Sequence, residues 1–146
     1  MPADTCDDDI HAIDALIARQ FASLDWAPDR PSDWRAFGAD FAEGATLWPS
    51  ARPARARSVA DFIERMQGLA GTTLTSFRDQ VLGTHIRVFG NVAVALAASE
   101  HTENKIESAR VVEAILLVKD AGRWRIVAQA WDNAGAGRPV PSDLAP

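Results

Sequence analysis

Residues 77–90, FRDQVLGTHIRVFG, open the stretch that decides the fold. They are followed by NVAVALAASEHTE (91–103), ESARVVEAILLVK (107–119) and RWRIVAQAW (123–131). From about residue 76 apolar and polar residues alternate with a period of two, which predicts four successive β-strands. Only short turns separate them, so they form an antiparallel meander rather than a parallel sheet with crossover helices. Working outward, Ile10, Ile13, Leu16, Ile17, Phe21 and Leu24 recur at helical spacing and predict an amphipathic helix over about 7–25. Asp7, Asp8 and Asp9 supply its cap and favourable N-terminal charge. Pro28 and Pro31 break the chain, and Ser32 or Asp33 caps a short second helix through Trp34 and Phe37. Ala45–Trp48 reads as a short strand ended by Pro49. ARPARAR (51–57) is a loop whose Arg52, Arg55 and Arg57 could meet an anion, or could pair with nearby acids. Ser58 caps a third helix that Gly68 and Gly71 end. Helices first and strands afterwards give an α+β domain over 1–133, with an irregular tail, 134–146.

The turns set the register. Gly90-Asn91 is a two-residue hairpin signal that pairs Phe89 with Val92 and His85 with Leu96. Asn104-Lys105, read as a second two-residue loop, pairs Leu96 with Glu113. Asp120-Ala121-Gly122, read as a three-residue loop, pairs Glu113 with Gln129 and Val111 with Trp131. One face then carries His85, Arg87, Glu100, Glu113, Gln129 and Trp131 among apolar residues, the other Ile86, Ala95, Ala114, Leu116, Trp124 and Ile126. Both faces look covered. Three helices cover one, and a second subunit is the simplest cover for the other, which predicts a homodimer.

The chain holds 146 residues with a net charge of −5. Residues 1–50 carry ten acids and three bases, and the remainder ten acids and twelve bases. No basic stripe is present to neutralise phosphates, so no nucleic-acid partner is expected. The N-terminal MPADTCDDDI lacks the features of a secretory signal, and no apolar run approaches 18 residues. No membrane partner and a cytoplasmic location are the expectations. The lone Cys6 excludes an internal disulfide. The three histidines are dispersed and no metal-ligand spacing occurs, so neither a metal nor another cofactor is expected.

The order of elements, with DFAEGATLW, RSVADFIERM, THIRVFGNVAV and GRWRIVAQAW, resembles the nuclear transport factor 2-like superfamily over about 7–133. The pieces look like its SnoaL-like branch and the association (hub) domain of calcium/calmodulin-dependent kinases. The resemblance implies a cone with a pocket between sheet and helices, commonly dimeric, in catalytic and non-catalytic proteins alike; fold does not give function. Aligned without gaps from Gly90, the hub domain's pocket arginines fall on Glu100, Ile115 and Trp131, none of them Arg. The alignment implies that those positions face the pocket. The tyrosines that ketosteroid isomerase and scytalone dehydratase use as polarising donors have no counterpart, since the chain has no tyrosine.

The candidate chemistry is therefore His85 and Glu113 as the acid–base pair, two strands and roughly 9.6 Å apart along the sheet. A glutamate in an apolar cavity has its pKa raised towards neutrality. Gln129 and Trp131 would orient the ligand, Trp48 would offer an indole, and Arg87 and Glu100 complete the ligand-binding set. The leading expectation is a protein that binds a small hydrophobic molecule. A cofactor-independent isomerase, dehydratase or cyclase, or a non-catalytic dimerisation module, are the alternatives.

Overall fold

A computed structural model describes residues 2–145. Three helices, α1 (Pro2–Leu24), α2 (Trp34–Ala39) and α3 (Val59–Ala70), pack on one six-stranded sheet. Its strands are β1 (Phe41–Trp48), β2 (Arg57–Ser58), β3 (Phe77–Phe89), β4 (Val92–Glu103), β5 (Glu107–Asp120) and β6 (Arg123–Asn133), in the order β2-β1-β6-β5-β4-β3. The predicted meander is β3–β6. The sheet is mixed rather than wholly antiparallel, because β1 joins β6 in parallel.

The helix caps follow from local chemistry. Asp33 accepts from the Ala36 N–H at 3.0 Å, and Ser58 accepts from the Asp61 N–H at 3.0 Å. The acidic run behaves differently from its expected capping role, because α1 begins earlier, at Pro2. Asp9 instead accepts from Lys119 at 2.9 Å and from the Trp124 indole at 3.0 Å, tying the helix to the sheet. The Lys119 bond, then the Trp124 bond, holds its carboxyl below the usual range.

The core lies between α1 and the concave sheet face. Ile13, Leu16, Ile17 and Phe21 are buried there with Ile115, Leu117 and Ile126. Ala93, Ala95 and Ala97 of β4 are buried on the same face, and their small side chains leave room for the helix layer.

The first hairpin has the predicted register, with Phe89 opposite Val92 and His85 opposite Leu96. The next two turns differ. Asn104 and Lys105 both take positive φ within a loop that also holds Ile106, so Glu103 pairs with Glu107. The Asn104 side chain accepts from the backbone N–H of Thr75 at 2.8 Å and of Ser76 at 3.2 Å, and donates to the Thr73 carbonyl at 3.1 Å. That clamp holds the wider loop, and Glu113 consequently sits opposite Ala97, not Leu96. The last turn is the two-residue Ala121-Gly122, both at positive φ, with Asp120 paired to Arg123. A bulge at Val127 then shifts the β5–β6 register, so that Trp124 and Ile126 before it and Gln129 and Trp131 after it all face the helices.

The C-terminal tail returns to the outer face. Leu144 and Ala98 are both fully buried, and the Leu144 backbone lies where a side chain on Gly83 would be. Glycine is required at 83 for that close approach.

Candidate functional site

A cavity of about 340 Å³ lies between the sheet and the helices. Its walls are mostly apolar, with Phe21, Phe37, Leu47, Phe62, Val111 and Trp131 among them. Phe62 meets Trp131 edge-on, with ring centroids 5.8 Å apart. Into this lining α1 sets Gln20, β3 sets Asp79, β4 sets Ser99, β5 sets Glu113 and β6 sets Gln129. The alternation of each strand puts these residues on the concave face.

Three of the polar groups form one chain. Gln20 Nε2 donates to Gln129 Oε1 at 2.8 Å, and Gln129 Nε2 donates to Glu113 Oε1 at 2.7 Å. All three residues are more than nine-tenths buried. Burial first, and then the neighbouring Asp79 carboxyl, push the Glu113 carboxyl up to about 8 against the opposing bond from Gln129. Asp79 is pushed up to about 7, first by burial, with a hydrogen bond from Ser99 opposing and Asp25 adding to the rise. Its Oδ1 is buried without a hydrogen-bond partner among the described residues. Both carboxyls are thus held well above the ordinary carboxylate range, so that their protonated forms persist towards neutral pH, as those of groups used as acids or bases do.

The structure brings together Glu113, Gln129 and Trp131, as the sequence leads one to expect. It separates four others from them. His85 and Arg87 lie on the outer face of β3, exposed, and His85 Nδ1 contacts Asp143 Oδ2 at 3.2 Å. Glu100 is also on the outer face, where it accepts from Arg110 at 3.0 Å. Trp48, the Cα partner of Ala130, lines a shallow outer groove with His85 and Arg87. For His85, Arg87 and Glu100 the cause is the β4–β5 loop: one extra residue moves β5 by one position relative to β3 and β4, and every facing pair changes; Trp48 faces outward because it alternates with the buried Leu47 on β1. Of the positions aligned with the hub arginines, Ile115 and Trp131 face inward and Glu100 does not.

Asp79, Ser99 and Gln20 belong to the site and escaped the sequence reading. The signals were present. Asp79 stands between Phe77 and Val81 in strict alternation, on a face that is otherwise apolar. Gln20 interrupts the stripe Ile13, Leu16, Ile17, Phe21, where a polar residue on the buried side of a helix needs a partner. Among the described residues no group of three His, Cys, Asp or Glu side chains is placed to hold a metal ion, and no described helix is long and apolar enough to cross a membrane.

The sequence matches no protein-family model and no curated protein. Solved structures match along most of the chain. A protein of unknown function from Mycobacterium tuberculosis is similar at 20% identity and a TM-score of 0.74, covering 99% of this chain and 87% of that one. A candidate scytalone dehydratase from Novosphingobium aromaticivorans is similar at 13% identity and a TM-score of 0.71, covering 91% and 89%. A protein of unknown function from Pseudomonas putida, described as nuclear transport factor 2-like, is similar at 14% identity and a TM-score of 0.67, covering 92% and 94%. The element order, the curved mixed sheet and these likenesses agree: the chain has the nuclear transport factor 2-like fold.

Proposed function

We propose that the cavity binds a small, largely apolar molecule and that Asp79 and Glu113 move one of its protons, as an isomerase, dehydratase or cyclase would. The observation that carries this reading is the pair of raised carboxyls in an apolar chamber, with Asp79 Oδ1 buried and unpartnered. A buried oxygen without a donor costs free energy unless a ligand or a proton satisfies it. Ionised Asp79 takes a proton from a carbon beside a carbonyl. Protonated Glu113 donates a hydrogen bond to the oxygen on which negative charge then develops. Return of the proton to another carbon is isomerisation; loss of a hydroxyl as water, with Glu113 supplying the proton, is dehydration. Gln129 holds Glu113 in place, and Trp131 supplies a flat apolar wall.

The test is deuterium incorporation, followed by proton NMR, into a panel of apolar enolisable ketones and β-hydroxy carbonyl compounds. The intact protein accelerates exchange or elimination for at least one of them. Asp79→Asn slows that reaction by about 10²–10⁴-fold, the usual worth of a positioned acid or base. Ligands that bind and perturb Trp131 fluorescence, yet exchange at the solvent rate, would make the chain a binding protein only.

We also propose that two copies pair through the outer sheet face. Val94, Leu96 and Leu116 are 55%, 43% and 44% exposed there, with Ala114 opposite Leu96 and Ala130 next to Ala114 on the same face. A broad apolar face rimmed by the Glu100–Arg110 and His85–Asp143 pairs suits a self-complementary contact. Leu96→Arg should convert a dimer to a monomer in sedimentation while leaving the circular dichroism spectrum unchanged. A wild-type protein that sediments as a monomer at micromolar concentration would contradict this pairing.

A further inference from the structure

The cavity is polarised from one side to the other. Asp79 and Glu113 stand on β3 and β5, whereas Arg57 and Arg65 line the opposite part of the same cavity. Arg57 is the Cα partner of the buried Leu47, so its side chain leaves β2 on the concave side. Arg65 lies on α3 with Phe62, Met66 and Leu69, at the spacing of one helix face, and all four line the cavity. Arg52, in the loop that leads into β2, is already engaged by the carbonyls of Pro49, Ser50 and Ala51. Neither Arg57 nor Arg65 forms an ion pair among the described residues, whereas Arg19, Arg110, Arg123 and Arg138 each have a carboxylate. In the strand order Arg57 and Glu113 are three strands apart, about 14 Å between backbones measured along the sheet.

We propose that the molecule the cavity takes is an amphipathic carboxylic acid, an apolar ring system whose carboxylate is held by Arg57 and Arg65 while its far end reaches Asp79 and Glu113. This rests on the reading of the cavity as a ligand site. Guanidinium forks match a carboxylate in geometry and charge. A singly charged group suits the site better than a dianion, because the remaining polar walls carry acids and the chain is net negative. The reacting end must be uncharged, since an anion there would face ionised Asp79.

The test compares 2-naphthaleneacetic acid with 2-naphthaleneacetamide by calorimetry at pH 7. The proteins are wild type, Arg57→Gln, Arg65→Gln, the double variant, and Arg78→Gln as an outer-face control. The acid should bind wild type about tenfold more tightly than the amide, a difference of about 1.4 kcal/mol. Each single substitution should reduce that preference. The double variant should erase it while amide affinity stays within about twofold and the melting temperature holds. Arg78→Gln should change neither. Equal binding of acid and amide to wild type would overturn the carboxylate inference and leave the cavity reading standing, as would a preference that survives the double substitution. Failure of both probes to bind would overturn the cavity reading together with this inference.

Discussion

Glu113→Gln should make the protein more stable than wild type at pH 9, by about 3–5 kcal/mol, and leave the two nearly equal at pH 5. Glutamine mimics the protonated acid, accepts the same hydrogen bond from Gln129 and cannot ionise. The sign follows from the direction of the shift. Burial raises the folded-state pKa from 4.5 to about 8, so between those values the folded protein binds more protons than the unfolded chain. Stability therefore falls as pH rises through that window and levels off above it. Asp79, raised from 3.8 to about 7, adds its own decline at lower pH, so the variant keeps a slope below neutrality and loses the one above it. Urea denaturation at pH 5, 7 and 9 measures both. A wild-type protein as stable at pH 9 as at pH 5 would remove the basis for a raised Glu113.

Gln129→Leu should cost about 2–4 kcal/mol, although it adds no charge and little volume. Gln129 is the single link between the α1 amide of Gln20 and the β5 carboxyl of Glu113. Its loss leaves two buried polar groups without their partner. The penalty should grow with pH, because Glu113 loses the donor that stabilises its ionised form. Gln20→Leu combined with Gln129→Leu should cost less than the two singles added together, by about 1–2 kcal/mol, as expected for residues in one network. Strict additivity in a denaturation cycle would show that the two amides are not coupled.

Much of this architecture was legible because it is written in periodicity. The helical stripe from Ile13 to Leu24 and the alternation after residue 76 are each long enough to be unambiguous, and the Gly90-Asn91 turn has the chemistry its geometry demands. The register beyond β4 was not legible. Ala121 adopts a positive φ that its side chain disfavours, so nothing in the sequence marks Ala121-Gly122 as the whole turn. Asn104 is held by a clamp on residues 73–76, a tertiary contact that no local pattern announces.

The site shows the consequence. Glu113, Gln129 and Trp131 came together because the bulge at Val127 restored the parity that the misread turn had shifted. His85 had no such compensation. The wider β4–β5 loop put it on the other face from Glu113, and its place in the cavity is taken by Asp79 on the far side of the Val81–Gly83 bulge. Strand alternation is reliable within an element and fails at each bulge, which is where the acid partner of Glu113 was hidden.

The central claim is that two carboxyls in this cavity hold protons near neutral pH. Side-chain carboxyl ¹³C NMR titration of the labelled protein, with Asp79→Asn and Glu113→Gln to assign the resonances, tests it most directly. The expected midpoints are near 7 for Asp79 and near 8 for Glu113, with the Glu113 midpoint falling when Asp79 is replaced. Two carboxyls that both titrate near 4 would contradict it.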